Sequence, residues 1–180
     1  MANKEPNRDD FEAGLLQQPK PETLHDFEAA IERKQSRYNF SATFYYMLYK
    51  DQLVLNGKIN DVGSYTRINV PNSYRAGVEL QAGVEFNSWL NASGNITFSS
   101  NKIKSFTEYL DEYDADFNYI GQQPVEHKNT DISFSSNTIA SATVTFLPLK
   151  NMQLNFISKY VGKQYLDNAQ NDNRKLDAYF

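Results

Sequence analysis

Cysteine is absent from the 180 residues, which excludes a disulfide framework, a thiolate metal site and a cysteine nucleophile. Histidine is nearly absent too: His25 and His127 stand far apart in sequence, so no histidine-rich metal cluster is expected. There is no excess of basic residues. The formal net charge is -4 and the pI about 5.2, with Lys and Arg scattered among acids, which disfavours a nucleic-acid partner. No Gly-x-Ser-x-Gly elbow occurs among the many serines. The expectation is therefore a non-enzyme, with no catalytic, cofactor-binding or metal-ligating residues. Long apolar runs are lacking as well, and the mean hydropathy is -0.64. That average does not exclude a membrane, because a transmembrane β-strand is apolar at only every second position. Met1 to Asp10 contains no apolar core of a signal peptide, so a protein starting there would not be exported.

What the chain has in quantity is aromatic alternation, with twelve Tyr and twelve Phe. Tyr74 to Phe86 is the clearest stretch. Tyr74, Ala76, Val78, Leu80, Ala82, Val84 and Phe86 alternate with Arg75, Gly77, Glu79, Gln81, Gly83 and Glu85, so an extended backbone puts each set on its own face. Soluble strands average about 5 to 6 residues and transmembrane strands need about 9 to 11, and this run is longer than both.

Residues 1–23 carry Pro6, Pro19 and Pro21 and read as a loop. Strands are then expected at His25 to Arg33, Tyr38 to Tyr49, Tyr74 to Phe86 and from Leu90 to about Ser99, followed by Ile132 to Phe146 and Gln153 to Gln164. A further strand only begins at Leu176 to Phe180. The connections alternate. They are short at 34–37, 87–89 and 148–151, and long at 50–72, 104–129 and 165–174. Within the first long segment, Asn56-Gly57 and Asp61-Val62-Gly63 are candidate turns of a protruding hairpin. Short turns on one side and long loops on the other are the pattern of an outer-membrane β-barrel, with an aromatic girdle expected at Tyr38, Phe86 and Trp89. On this reading Ala76 to Phe86 faces outer-membrane lipid, and Glu28, Arg75, Glu79 and Glu85 face the lumen.

The loop after the fourth strand concentrates acids and tyrosines. Tyr109, Asp111, Tyr113, Asp114, Asp116 and Tyr119 are candidate cargo contacts, since rings and carboxylates suit a recognition loop. A calcium loop is excluded. Aligning Asp114, Asp116 and Asn118 to an EF-hand puts Tyr119 where glycine is needed and Val125 where the bidentate Glu belongs.

Several strings carry a family resemblance. Ala2-Asn3-Lys4-Glu5-Pro6-Asn7-Arg8-Asp9-Asp10-Phe11, Lys20-Pro21-Glu22 with Glu28 six residues later, Tyr45 to Val54 and Lys159 to Asn168 resemble the barrel region of TonB-dependent outer-membrane receptors, particularly those of Bacteroidota. The resemblance implies about six to seven antiparallel strands of a 22-stranded up-and-down barrel in the Gram-negative outer membrane. Its turns would be short on the periplasmic side and its loops long outside, with residues 1–23 among those loops. It also implies TonB-dependent uptake of a ferric siderophore, haem, cobalamin or a glycan. Set against that family, the chain is expected to lack a signal peptide, a plug and a TonB box. It is expected to be a truncated C-terminal barrel piece, one domain over 1–180, whose TonB partner acts through the missing plug region. The reading kept beside this one is a soluble all-β binding or adhesion module that recognises glycan or protein through its long loops.

Overall fold

Alternation of this length makes ribbons, and the computed structural model consists of them. It describes residues 1–11, 18–59 and 65–180, with the backbone alone for Asp9, 55–59, 65–66 and Tyr109. In chain order the elements are β1 (Ala2–Lys4), the one-turn helix α1 (Arg8–Phe11), β2 (Glu22–Lys34), β3 (Tyr38–Ile59), β4 (Tyr65–Asn87), β5 (Leu90–Tyr113), β6 (Tyr119–Asp131), β7 (Thr138–Leu149), β8 (Met152–Val161), β9 (Gln164–Tyr165) and β10 (Lys175–Leu176). One antiparallel sheet runs β1-β2-β3-β4-β5-β7-β8, with β6 paired to β5 off that path, and β9 and β10 form a separate pair.

Short turns pair β2 with β3, β4 with β5 and β7 with β8, while β7 skips β6 and pairs with β5. Asn87 closes the β4–β5 turn: its Oδ1 accepts from the backbone amides of Trp89 and Leu90. At the β2–β3 turn the Gln35 amide donates to the Tyr38 carbonyl at 2.8 Å. These turns set the register, and the register sets the faces. Phe44, Val78, Phe98 and Thr138 lie in one row across β3, β4, β5 and β7, and Tyr45, Gly77, Ser99 lie in the next. One face therefore carries the apolar set and the other the polar set.

Gly77 belongs to the polar face for a steric reason. A Cβ there would meet the Phe98 carbonyl and the Tyr45 hydroxyl, each at 2.5 Å. Glycine lets the Tyr45 ring lie over the strand.

Several elements extend past their sequence boundaries. The β4–β5 ladder reaches Ser73↔Ile103, beyond which the sheet divides into two ribbons, β3–β4 and β5–β6. Asn56-Gly57 lies within β3 and not at a turn, while Asp61-Val62-Gly63 lies outside the described residues. The stretch expected as the loop 104–129 is largely ribbon, paired from Lys102↔Asp131 to Tyr113↔Tyr119. A two-stranded ribbon with solvent on both sides has no reason to alternate, so it leaves no period-2 signal. The strand expected from Ile132 starts at Thr138.

At the C-terminus, Lys175-Leu176 pairs with β9. Tyr179 pairs with β8, exchanging backbone bonds of 2.9 and 3.0 Å with Val161, and the Phe180 ring meets Tyr160 of β8 at 4.9 Å. Nor are residues 1–23 all loop. β1 pairs along Glu22 to Leu24, and Asn7 and Asp10 cap α1 reciprocally, each side-chain oxygen accepting the other's backbone amide.

The buried apolar cluster lies where the sheet divides, not under its face. Val54, Val70, Ile103 and Ile132 pack there with Ile68 and Phe106, so the two ribbons are tied by a small core of their own. Ile103, with no exposed surface, should be the most sensitive member. Ile103→Ala is expected to destabilise this region by about 2 to 5 kcal/mol, measured by urea titration with hydrogen exchange on β5 and β6; a loss under about 1 kcal/mol would mean the ribbons are held otherwise.

Candidate functional site

The polar face hollows into a pocket of about 820 Å³. Glu28 of β2, with Arg75 and Glu79 of β4, lines it, as do Tyr45 and Asn101. Three of the four charged residues assigned to this face from sequence thus come together. Glu85 shares their parity but sits nearer the short turns, where its amide donates to the Arg37 carbonyl, and it does not line the pocket. Glu28 and Glu79 form no ion pair among the described residues. Arg75 is engaged, its Nη1 donating to Asn101 Oδ1 at 3.3 Å and to Ser135 Oγ at 3.0 Å.

The second of those bonds reaches a segment that sequence reasoning missed. Residues 132–137 connect β6 to β7 and fold in at the pocket's rim, with Ser133, Phe134, Ser135 and Ser136 among the lining residues. They are pinned from two sides. From β5, the Asn101 carbonyl accepts the Ile132 amide at 3.0 Å, the Ser99 hydroxyl donates to the Ser136 carbonyl at 3.1 Å and the Ser99 amide donates to the Asn137 carbonyl at 2.9 Å. From the stretch after β8, Asn168 Oδ1 accepts the Ser133 amide at 2.8 Å and the Tyr165 carbonyl accepts the Phe134 amide at 2.8 Å. Phe134 is held at φ 55° and remains 57% exposed. A bulky residue in the left-handed region is an outlier that only surrounding bonds sustain. Ser135-Ser136-Asn137 is the signal that could have found this segment, since such clusters favour turns over strand.

The acidic ribbon resolves differently. Asp114 is consumed by its own turn: Oδ1 accepts from the amides of Asp116 at 2.9 Å and Asn118 at 2.8 Å, and the Asn118 side chain donates to both carboxylate oxygens. The Asn118 backbone amide, then its side-chain amide, then the Asp116 amide hold this fully exposed carboxyl below the usual carboxylate range. Asp111 accepts from Gln122 Nε2 across the ribbon. Tyr113 and Tyr119 meet edge to face at 6.0 Å. Asp116 is exposed, and the side chain of Tyr109 lies outside the described residues. Phe117, at φ 62° and 86% exposed, crowns the turn.

His127 is paired with Glu108 at 2.9 Å and stacked on Phe106 at 4.9 Å, a structural placement at the ribbon's base. Among the described residues no three His, Asp or Glu side chains gather as a metal site.

Comparison with known proteins places this arrangement. The family model described as TonB dependent receptor-like, beta-barrel, matches residues 7–180. The chain superposes on the ferric yersiniabactin uptake receptor of Yersinia pestis with a TM-score of 0.56 at 15% identity, covering 89% of this chain and 22% of that one. For the copper transporter OprC the values are 0.61, 13%, 90% and 22%. For a mutant of the ferric enterobactin receptor of Pseudomonas aeruginosa they are 0.57, 17%, 89% and 22%. At these identities the likeness is one of fold, and the chain spans under a quarter of each neighbour's length. No curated protein sequence matches.

The Asp114 turn yields a pH dependence. Its folded pKa is depressed, so its contribution is present above the unfolded value and disappears as pH falls through the folded one. The amide resonances of Asp116 and Asn118 should shift together on acidification below the usual carboxylate range, and Asp114→Ala should open the tip to protease clipping between Tyr113 and Tyr119. Resonances that stay fixed through the acid range, with unchanged clipping, would contradict the turn's dependence on this carboxylate.

Proposed function

Since the chain belongs to the TonB-dependent receptor family, through that family's β-barrel, we propose that it forms part of the barrel wall of a receptor for TonB-dependent uptake of a scarce nutrient across the outer membrane. Proteins of this family are outer-membrane transporters of Gram-negative bacteria and not enzymes. The polar face is then the lumen wall, bearing Glu28, Arg75, Glu79 and Glu85, and the apolar face meets lipid. The ribbons β3–β4 and β5–β6 project outward, and the tip around Tyr113, Asp116 and Tyr119 is the part positioned to meet cargo. The nutrient class covers ferric siderophores, haem, cobalamin and glycans. TonB acts on the intact receptor through a region other than this wall.

One observation carries this reading: the apolar face is uncovered. Phe27 is 60% exposed, Phe44 50%, Phe98 49% and Phe156 66%. These side chains lie on the face that a soluble sandwich would bury, and the only other sheet among the described residues is the two-residue β9–β10 pair. That weighs against the soluble binding module. Lipid makes such exposure favourable, because transferring apolar surface out of water gains about 25 cal/mol per Å².

The dimensions agree. Twelve residue steps separate Tyr74 from Phe86, roughly 40 Å of strand, which a tilt of about 40° reduces to about 30 Å. Aromatics mark both levels. Tyr46 and Tyr74 pair at 6.0 Å at one end, and Trp89 meets Phe146 edge-on at 5.4 Å at the other. Residues 25–34 of β2 and most of β8 offer open edges. Unpaired backbone cannot face hydrocarbon, so further strands join there in the receptor.

Expressed in Gram-negative cells or refolded with detergent, the chain should partition with membranes, and a monomer stable in buffer without detergent would overturn the reading. Leu80→Arg or Val84→Arg on the apolar face should cost about 2 to 4 kcal/mol of stability in bilayers, while Gln81→Lys on the opposite face should be far better tolerated. Equal tolerance on the two faces would remove the assignment of lumen and lipid.

A further inference from the structure

We propose that the apolar face carries a site for one anionic phospholipid, whose acyl chain lies in a hollow across β4, β5 and β7 and whose phosphate meets Arg33 at the rim. The inference rests on the reading of this face as lipid-facing and names the partner that one part of it holds.

The register lays the site out. Arg33, Phe40, Ala82, Gly94, Ala142 and Ser158 form a single row across β2, β3, β4, β5, β7 and β8. Strand alternation puts that row on the face of Phe44 and Phe98. The row is oblique to the ends of the strands. Arg33 stands beside Lys34, the last residue of β2 and the start of a short turn, whereas Ala142 and Ser158 lie well inside β7 and β8. Followed from Arg33, the row therefore leaves the headgroup level and enters the hydrocarbon, as strand tilt and stagger in a barrel dictate.

Along that row the surface sinks into a hollow of about 670 Å³, floored by Ala82, Gly94 and Ala142. Leu80, Ile96 and Tyr160 of the next row wall it on one side, and Phe40 stands at the rim end. The Phe180 ring, against Tyr160 at 4.9 Å, bounds the far end on β8. The floor is set by the backbone itself. A Cβ on Gly94 would come within 2.9 Å of the Ser141 carbonyl, so the low point of the hollow cannot be raised there without moving a strand.

An apolar hollow alone would take any hydrocarbon, and the rim supplies the choice. The Arg33 guanidinium lies over the Tyr38 ring at 6.0 Å, a contact that leaves its charge uncompensated, and no carboxylate pairs with it among the described residues. Its neighbour Glu32 alternates to the opposite face. Lys34 and Arg37, both exposed, add positive charge at the same turn. A guanidinium offers parallel N–H donors that fit a phosphodiester, and the attraction strengthens where water gives way to hydrocarbon. A phospholipid answers both halves of the site, its phosphate on Arg33 and a chain in the hollow. Net negative charge on the headgroup is favoured because a zwitterionic lipid brings its own cation to a rim that already has three.

The test is native mass spectrometry of the full chain in neutral maltoside micelles. The probes are phosphatidylglycerol, phosphatidylcholine with the same acyl chains, and inorganic phosphate. One phosphatidylglycerol should be retained at about tenfold lower concentration than phosphatidylcholine, and inorganic phosphate should displace neither. Arg33→Gln should bring the two lipids within about twofold of each other, while Arg33→Lys keeps most of the preference. Ala142→Phe and Ala82→Leu, which fill the floor from separate strands, should each weaken both lipids by about fivefold or more and leave their ratio unchanged. Lys159→Gln, on the polar face, should alter neither. Equal retention of the two lipids by the native chain, a preference that survives Arg33→Gln, fillings without effect, or displacement by inorganic phosphate would overturn the site. Membrane insertion with indiscriminate lipid binding defeats this inference alone. A chain that stays monomeric in buffer without detergent and retains neither lipid removes the lipid-facing assignment itself.

Discussion

Cross-strand register is the constraint on which the structure depends. The ladder from β2 to β8 keeps its parity through five pairings, so that Phe44, Val78 and Phe98 share one row and Tyr45, Gly77 and Ser99 the next. A slip of one residue in any pairing would turn a whole strand over, putting Glu79 and Glu85 among phenylalanines. The tight turns guard against this. Asn87 commits its side chain to two amides of the β4–β5 turn, and after one irregularity between Glu85 and Asn87 the ladder holds a constant register from Glu85↔Asn91 to Ser73↔Ile103.

From the register follows a division of labour along the strands. Between the short turns and the Ser73↔Ile103 level the sheet is two-faced and has no buried core. Beyond that level it divides, and the two ribbons are tied by a small core of their own. Val54, Val70, Ile103 and Ile132 form it, beside buried polar pairs such as Ser73 with Gln52. The chain thus packs differently at two heights, and its buried hydrophobic residues among those described gather mostly at one of them. The pinned segment 132–137 sits at the junction, where Arg75 and Asn101 from the sheet meet Tyr165 and Asn168 from the stretch after β8.

Much of the fold was legible in the chain. Alternation from Tyr74 to Phe86 needs no partner to be seen, and the rhythm of short and long connections named the architecture, because hairpin turns and apolar periodicity are local properties. The polar parity of Glu28, Arg75 and Glu79 was legible for the same reason. What escaped was whatever lacked a period. The β5–β6 ribbon reads as loop since both its faces are wet. Residues 132–137 read as the start of a strand because Ile132 and Phe134 happen to alternate with serines. The Asp114 carboxylate reads as a recognition group, while in the folded tip it is consumed by the Asn118 and Asp116 amides.

The sequence by itself determined which side chains share a face and that the chain is a wide antiparallel sheet, since a strand's two-residue repeat is built into the backbone and survives any packing. Only the tertiary structure decided how far the ribbons run past the sheet and where their small core lies. It alone folded residues 132–137 over the polar face. Those outcomes depend on hydrogen bonds such as Arg75 to Ser135 and Tyr165 to Phe134, between groups remote in sequence, for which no local pattern of residues can stand in.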